Sequence, residues 1–159
     1  MATTTVTGNS AGTANSKFVV KLVVDTDPVF TTSGFKLKYK VQVWVTEGNF
    51  QNTNLTLGYN GSTIVINSGP KMVHESTERE STTFSYGQNG TITTSAYYTG
   101  GSGTKYTSTV TFTTSTPPGT MKVYKDGEWK NAVPYVYYNS KWNQAIPMVY
   151  NSSAWRTAF

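Results

Sequence analysis

Cysteine is absent from the 159 residues, so neither a disulfide framework nor thiolate chemistry is open to the chain. Histidine occurs once, at position 74, and there are only 8 acidic residues. Charged residues make up 13% of the chain, about half the usual share. These shortages bear on catalysis. Ser-His-Asp chemistry needs a base held by an orienting carboxylate, and His74 sits in a charged segment that reads as solvated. His74, Glu75 and Glu78 do not follow a recognised metal-ligand spacing. A glycosidase needs two carboxylates across a cleft, whereas Asp126 and Glu128 fall in turn or edge positions. The glycine-rich run from Thr99 to Thr104 lacks the lysine and the following helix of a phosphate loop. The reading is therefore a non-enzyme with no catalytic residues, no metal and no cofactor. No apolar run approaches the ~18 residues of a membrane helix. The opening Met-Ala-Thr-Thr-Thr reads as no signal peptide. The expectation is synthesis in a reducing cytosol, without membrane insertion.

The chain is instead rich in Thr, Ser, Asn, Gly and aromatics, with 11 Tyr, 7 Phe and 4 Trp. Such a mix suits an all-β protein with many turns. The net charge of +5 is spread out, unlike the concentrated patch of a nucleic-acid binder, so no nucleic-acid partner is expected. Lys36, Lys38 and Lys40 alternate along one strand and share a face, which reads as a solvated or edge face protected against aggregation.

Residues 121–159 repeat with a step of thirteen. Val123, Val136 and Val149 align, followed by Tyr124, Tyr137 and Tyr150; six positions after each Val stand Trp129, Trp142 and Trp155. Between Tyr and Trp sit Asp126-Gly127, Asn139-Ser140 and Ser152-Ser153, residues that tolerate φ > 0. Each copy therefore reads as a small β-hairpin, ended in the first two copies by Pro134 and Pro147. A lone hairpin is marginal, so the three are expected to stack their rings into one layer, leaving some uncovered. Candidate contacts to a glycan or partner are Tyr124, Trp129, Tyr137, Trp142, Tyr150 and Trp155. Lys130, Asn143 and Arg156, in the column after each Trp, are the candidate hydrogen-bonding partners.

Ahead of the repeats, residues 1–16 read as a flexible N-terminal arm. A strand follows at Phe18–Val24. The cleanest strand is Phe35–Thr46, alternating without a miss; Trp44 on its outer face is expected to lie under a loop. Leu55–Tyr59, Asn60-Gly61 and Ser62–Ile66 form a hairpin with the strongest short turn signal. Ser81–Tyr86, Thr91–Tyr98 and Tyr106–Thr113 complete about seven strands. The pattern predicts an immunoglobulin-like antiparallel β-sandwich over 17–114, a linker at 115–120 and the hairpin unit at 121–159.

The three copies, Val-Tyr-Lys-Asp-Gly-Glu-Trp-Lys-Asn-Ala-Val-Pro and its two successors, resemble repeats at the C-termini of minor tail and other virion proteins of tailed phages. The stretch from Ser16 to Thr114 is similar in style to the Thr/Ser-rich sandwiches of siphophage tail proteins. The third copy departs from the pattern, with Phe159 in place of proline, and is expected to act as a cap. The resemblance implies a structural virion protein of the tail or tail tip, assembled in the host cytoplasm. Other virion proteins and further copies of the chain, in a ring or trimer, would be its partners, with a bacterial surface polysaccharide as candidate ligand. A capsid decoration or head-fibre protein and a carbohydrate-binding module are the alternatives.

Overall fold

The computed structural model describes residues 2–31, 33–67, 69–114, 121–132, 134–145, 148–151 and 154–157. Among them it contains strands and no helix. In chain order the first strands are β1 (Thr3–Thr7), β2 (Ala11–Thr13), β3 (Ser16–Asp25), β4 (Val29–Phe30), β5 (Phe35–Lys36) and β6 (Lys38–Glu47). Then come β7 (Thr53–Leu57), β8 (Thr63–Ile66), β9 (Lys71–Glu75), β10 (Arg79–Glu80), β11 (Thr91–Thr99) and β12 (Lys105–Thr113). The repeats supply β13 (Met121–Lys125), β14 (Glu128–Ala132), β15 (Tyr135–Tyr138), β16 (Lys141–Gln144), β17 (Met148–Asn151) and β18 (Ala154–Thr157). Two compact units result: one of Met1–Asp27, Leu37–Ser81 and Thr91–Thr113, the other of Pro28–Lys36, Thr82–Gly90 and Thr114–Phe159.

The first unit is a sandwich of two antiparallel sheets. One runs β1-β3-β6-β10, with β2 also on β3 and β9 also on β6; the other runs β12-β11-β7-β8. Alternation decides which residues meet. Phe18, Val20, Leu22 and Val24 of β3 and Val41, Val43 and Val45 of β6 are buried against Leu55, Leu57, Ala96, Tyr98, Val110 and Phe112 of the second sheet. A one-residue slip would turn every one of these outward, so the pattern fixes the register. Each large side chain buried here contributes about 1.5–3 kcal/mol. Phe18, Phe50 and Tyr98 pack ring to ring, with centroids 5.6–6.3 Å apart.

In the first sheet β6 lies between β3 and β9, and in the second β11 lies between β12 and β7. Here β6 pairs directly with β3, and the chain first changes sheets at β7. Strand count and turn spacing carried the expectation of a sandwich, and neither encodes which strand pairs with which.

The N-terminal segment is not a free arm. Thr3–Thr7 pair residue by residue with Asp25–Lys21, and Ala11–Thr13 with Phe18–Ser16. Threonine is a good strand former, and an edge strand exposed on both faces needs no apolar alternation to announce it. Between β1 and β2, Gly8 N–H donates to Val20 O at 2.8 Å. Asn9 holds the β12 edge: its side-chain amide donates to Thr107 O, its Oδ1 accepts from Thr109 N, and its N–H donates to Thr109 O. Buried Ser108 accepts from Val20 N at 2.9 Å and donates to Asn9 O at 2.7 Å. The segment read as flexible thus joins the two sheets.

In the second unit, β4 and β5 form a short ribbon. Ser81–Tyr86, expected as a strand, makes only an isolated bridge from Phe84 to Phe35. Its aromatics serve as anchors instead. Phe84 packs on Phe35, Tyr86 stacks on Phe30, and the Tyr86 hydroxyl donates to Thr31 O. The proposed linker at 115–120, Pro147, the Ser152-Ser153 turn and the Phe159 cap lie outside the described residues.

Candidate recognition surface

Each repeat forms its own antiparallel ribbon, β13-β14, β15-β16 and β17-β18. The turns explain the local fold. Asp126 and Gly127 have φ of 57° and 83°, Asn139 and Ser140 of 51° and 60°. Positive φ at both central residues marks the tight turn whose twist matches that of paired strands. In the first two copies this turn sets the register, Tyr124 opposite Trp129 and Tyr137 opposite Trp142; in the third, Tyr150 also stands opposite Trp155. The six aromatic candidates are therefore brought together as three cross-strand pairs.

The polar candidates fall elsewhere. Lys130, Asn143 and Arg156 stand opposite Val123, Val136 and Val149. Neighbouring residues on a strand alternate between faces, so these three lie on the face away from the Tyr–Trp pairs. Asn143 is also committed within its hairpin, its amide donating to Tyr138 O and Lys141 O at 2.9 and 3.0 Å. The residues sharing the ring face are two positions beyond each Trp: Asn131, opposite Lys122; Gln144, opposite Tyr135; and Thr157, opposite Met148. Counting outward from each two-residue turn finds this column in the sequence alone.

Exposure departs from the expectation of a stacked aromatic layer at Tyr124, Tyr137 and Trp142. Tyr124 is 64% exposed, Tyr137 59% and Trp142 69%. Tyr135, Val136 and Tyr138 are exposed as well, so neither face of β15 is covered. The Tyr137 and Trp142 rings meet edge to face, 5.4 Å apart at 61°, an arrangement that leaves much of the indole open. No strand of one hairpin pairs with a strand of another among the described residues. The side chains of Trp129, Lys130, Tyr150, Trp155 and Arg156 lie outside what is described.

Other chemically eventful residues lie in the sandwich, where most of them partner one another. The lysine stripe meets the acidic segment 75–80, because β9 and β10 pair with β6. Lys38 bridges Glu78 at 3.0 Å and Lys40 bridges Glu75 at 3.4 Å. The Glu78 hydrogen bond raises the Lys38 pKa, and hydrogen bonds from Gln42 and Lys40 lower that of Glu75. A shallow groove of about 230 Å³ lies here, lined by both ion pairs and by Asp25. Trp44 is not under a loop: Lys21 Nζ sits 4.4 Å above its ring and its Nε1–H donates to Gln42.

His74 is half-buried rather than solvated. Its Nε2 is 2.9 Å from the Tyr59 hydroxyl, and Arg79 covers the Tyr59 ring at 4.8 Å. Tyr59 reaches it because β7 ends at Leu57: the loop runs through Gly58, whose N–H donates to Ser95 O, so the expected two-residue Asn60-Gly61 turn is a longer one. Burial lowers the His74 pKa. No carboxylate orients this histidine among the hydrogen bonds it makes here, and no group of three acidic, histidine or cysteine residues suited to a metal occurs among the described residues.

No protein-family model, curated protein or solved structure matches the chain.

Proposed function

We propose that this chain is a structural virion protein of a tailed bacteriophage, a minor tail or tail-tip component. Its sandwich serves assembly and its hairpins serve attachment to the host surface. The observation that carries the reading is the exposure of Tyr124, Tyr137 and Trp142 on hairpins built by tight turns. Exposed aromatics in such number are costly on a soluble surface unless a contact uses them. The sandwich supports the division of labour, since its core is filled and its surface ion pairs are closed. A particle presenting several copies would multiply weak contacts into firm attachment, which fits assembly as a ring or trimer.

Antibody labelling of purified virions, with mass spectrometry of their proteins, tests the assignment. Label at the tail end is expected. Label over the capsid would favour a decoration or head-fibre role, and absence from the particle would end the virion reading.

A further inference from the structure

The hairpins have two chemically different faces, and the difference points to the class of ligand. One face of each carries the Tyr–Trp pair and, two positions beyond the Trp, Asn131, Gln144 or Thr157. The other carries the valines together with Lys125, Lys130, Lys141 and Arg156. Of the five basic residues after position 120, only Lys122 shares the ring face.

A pyranose offers a face of C–H groups with slight positive charge and a rim of hydroxyls. The first suits the negative face of an aromatic ring. The second needs groups that donate or accept, as amides and hydroxyls do. A polyanion would call for the basic face instead, and a second copy of the unit would bring together two surfaces of net positive charge. From the register and the exposure of Tyr137 and Trp142, we infer that the ring face of the second hairpin is a subsite for a neutral, repeating polysaccharide, repeated on the first and third by the same register. Gln144 and its counterparts Asn131 and Thr157 supply the polar contacts. The inference rests on the attachment role proposed above and names the ligand class for it.

The probe is a series of β-1,4-linked N-acetylglucosamine oligomers and neutral cell-wall polysaccharide, compared with polyglycerol phosphate, titrated calorimetrically into the full chain. Affinity for the neutral probes should rise with oligomer length and hardly change between low and high salt, because no ion pairs are screened. Trp142→Ala should weaken it about tenfold, the loss of one ring contact, while Trp142→Phe retains most of it. Gln144→Ala should weaken binding too, and the Lys130→Ala/Arg156→Ala double variant should not. Binding of polyglycerol phosphate alone, abolished by salt and by the double variant, would overturn the inference. So would no binding to any neutral probe. If the chain nevertheless attaches to host cells, that second result leaves the attachment role standing; if it neither attaches nor occurs on the virion, both fail.

Discussion

Ser108 and His74 show how much a single polar group can carry. Ser108→Ala removes the acceptor of the buried Val20 N–H, and the orphaned donor should cost about 1–3 kcal/mol. Urea unfolding measures this, and a loss below the noise would contradict the stapling role. A Cβ on Gly8 would stand 2.3 Å from Thr109 O, so Gly8→Ala cannot keep the same backbone path. For His74 the sign follows from burial. Its pKa is lowered on folding, so below about 6.5 the unfolded chain binds the extra proton first. Stability should therefore fall as pH drops through the range beneath 6.5. Melting temperature against pH should slope downward on the acid side, and His74→Gln, whose amide can hydrogen-bond the Tyr59 hydroxyl, should flatten that slope; an unchanged slope would show that His74 does not contribute. Neither residue could be assigned this role from sequence. A lone serine facing a core, and a histidine among acids, reveal their partners only when strands distant in the chain are placed together.

Among the elements, β1 and the hairpin turns are the most testable. Removing residues 1–9 strips five register pairs and the Asn9 contacts from the sandwich. The truncated chain should unfold at markedly lower denaturant, whereas a flexible arm could be removed without effect. Ser140 sits at φ 60°, where a Cβ costs about 1 kcal/mol that glycine avoids. Ser140→Gly should tighten the second hairpin, seen as greater shift dispersion for Tyr137 and Trp142 by NMR. The turns and the 13-residue period were legible because tight turns use few residue types, and the long alternating strands because one face is buried. β1 was not, since an exposed threonine edge has no apolar rhythm. The ladder between the lysine stripe and residues 71–80 was hidden too: β9 and β10 are short, and Ser76 replaces a ladder residue by bonding Val41 N through its hydroxyl.

At the scale of the whole molecule, charge and ring exposure separate the two ends of the chain. Residues 121–159 hold five basic and two acidic residues, a net of +3 out of +5. The sandwich's lysine stripe, by contrast, is matched by its own acids. Composition indicated an all-β protein without ambiguity. It did not show whether the repeated rings would form a core or a surface, because Tyr and Trp serve either use equally well; only the solvent exposure of Tyr124, Tyr137 and Trp142 decides it. The proposed attachment role would make those rings the point of contact with the host. The direct measurement is binding of the fluorescently labelled full chain to susceptible bacteria, side by side with Trp142→Ala. With Trp142 so exposed, the variant should keep the parent's unfolding midpoint and lose most of its binding. Equal binding by the two proteins would contradict the account.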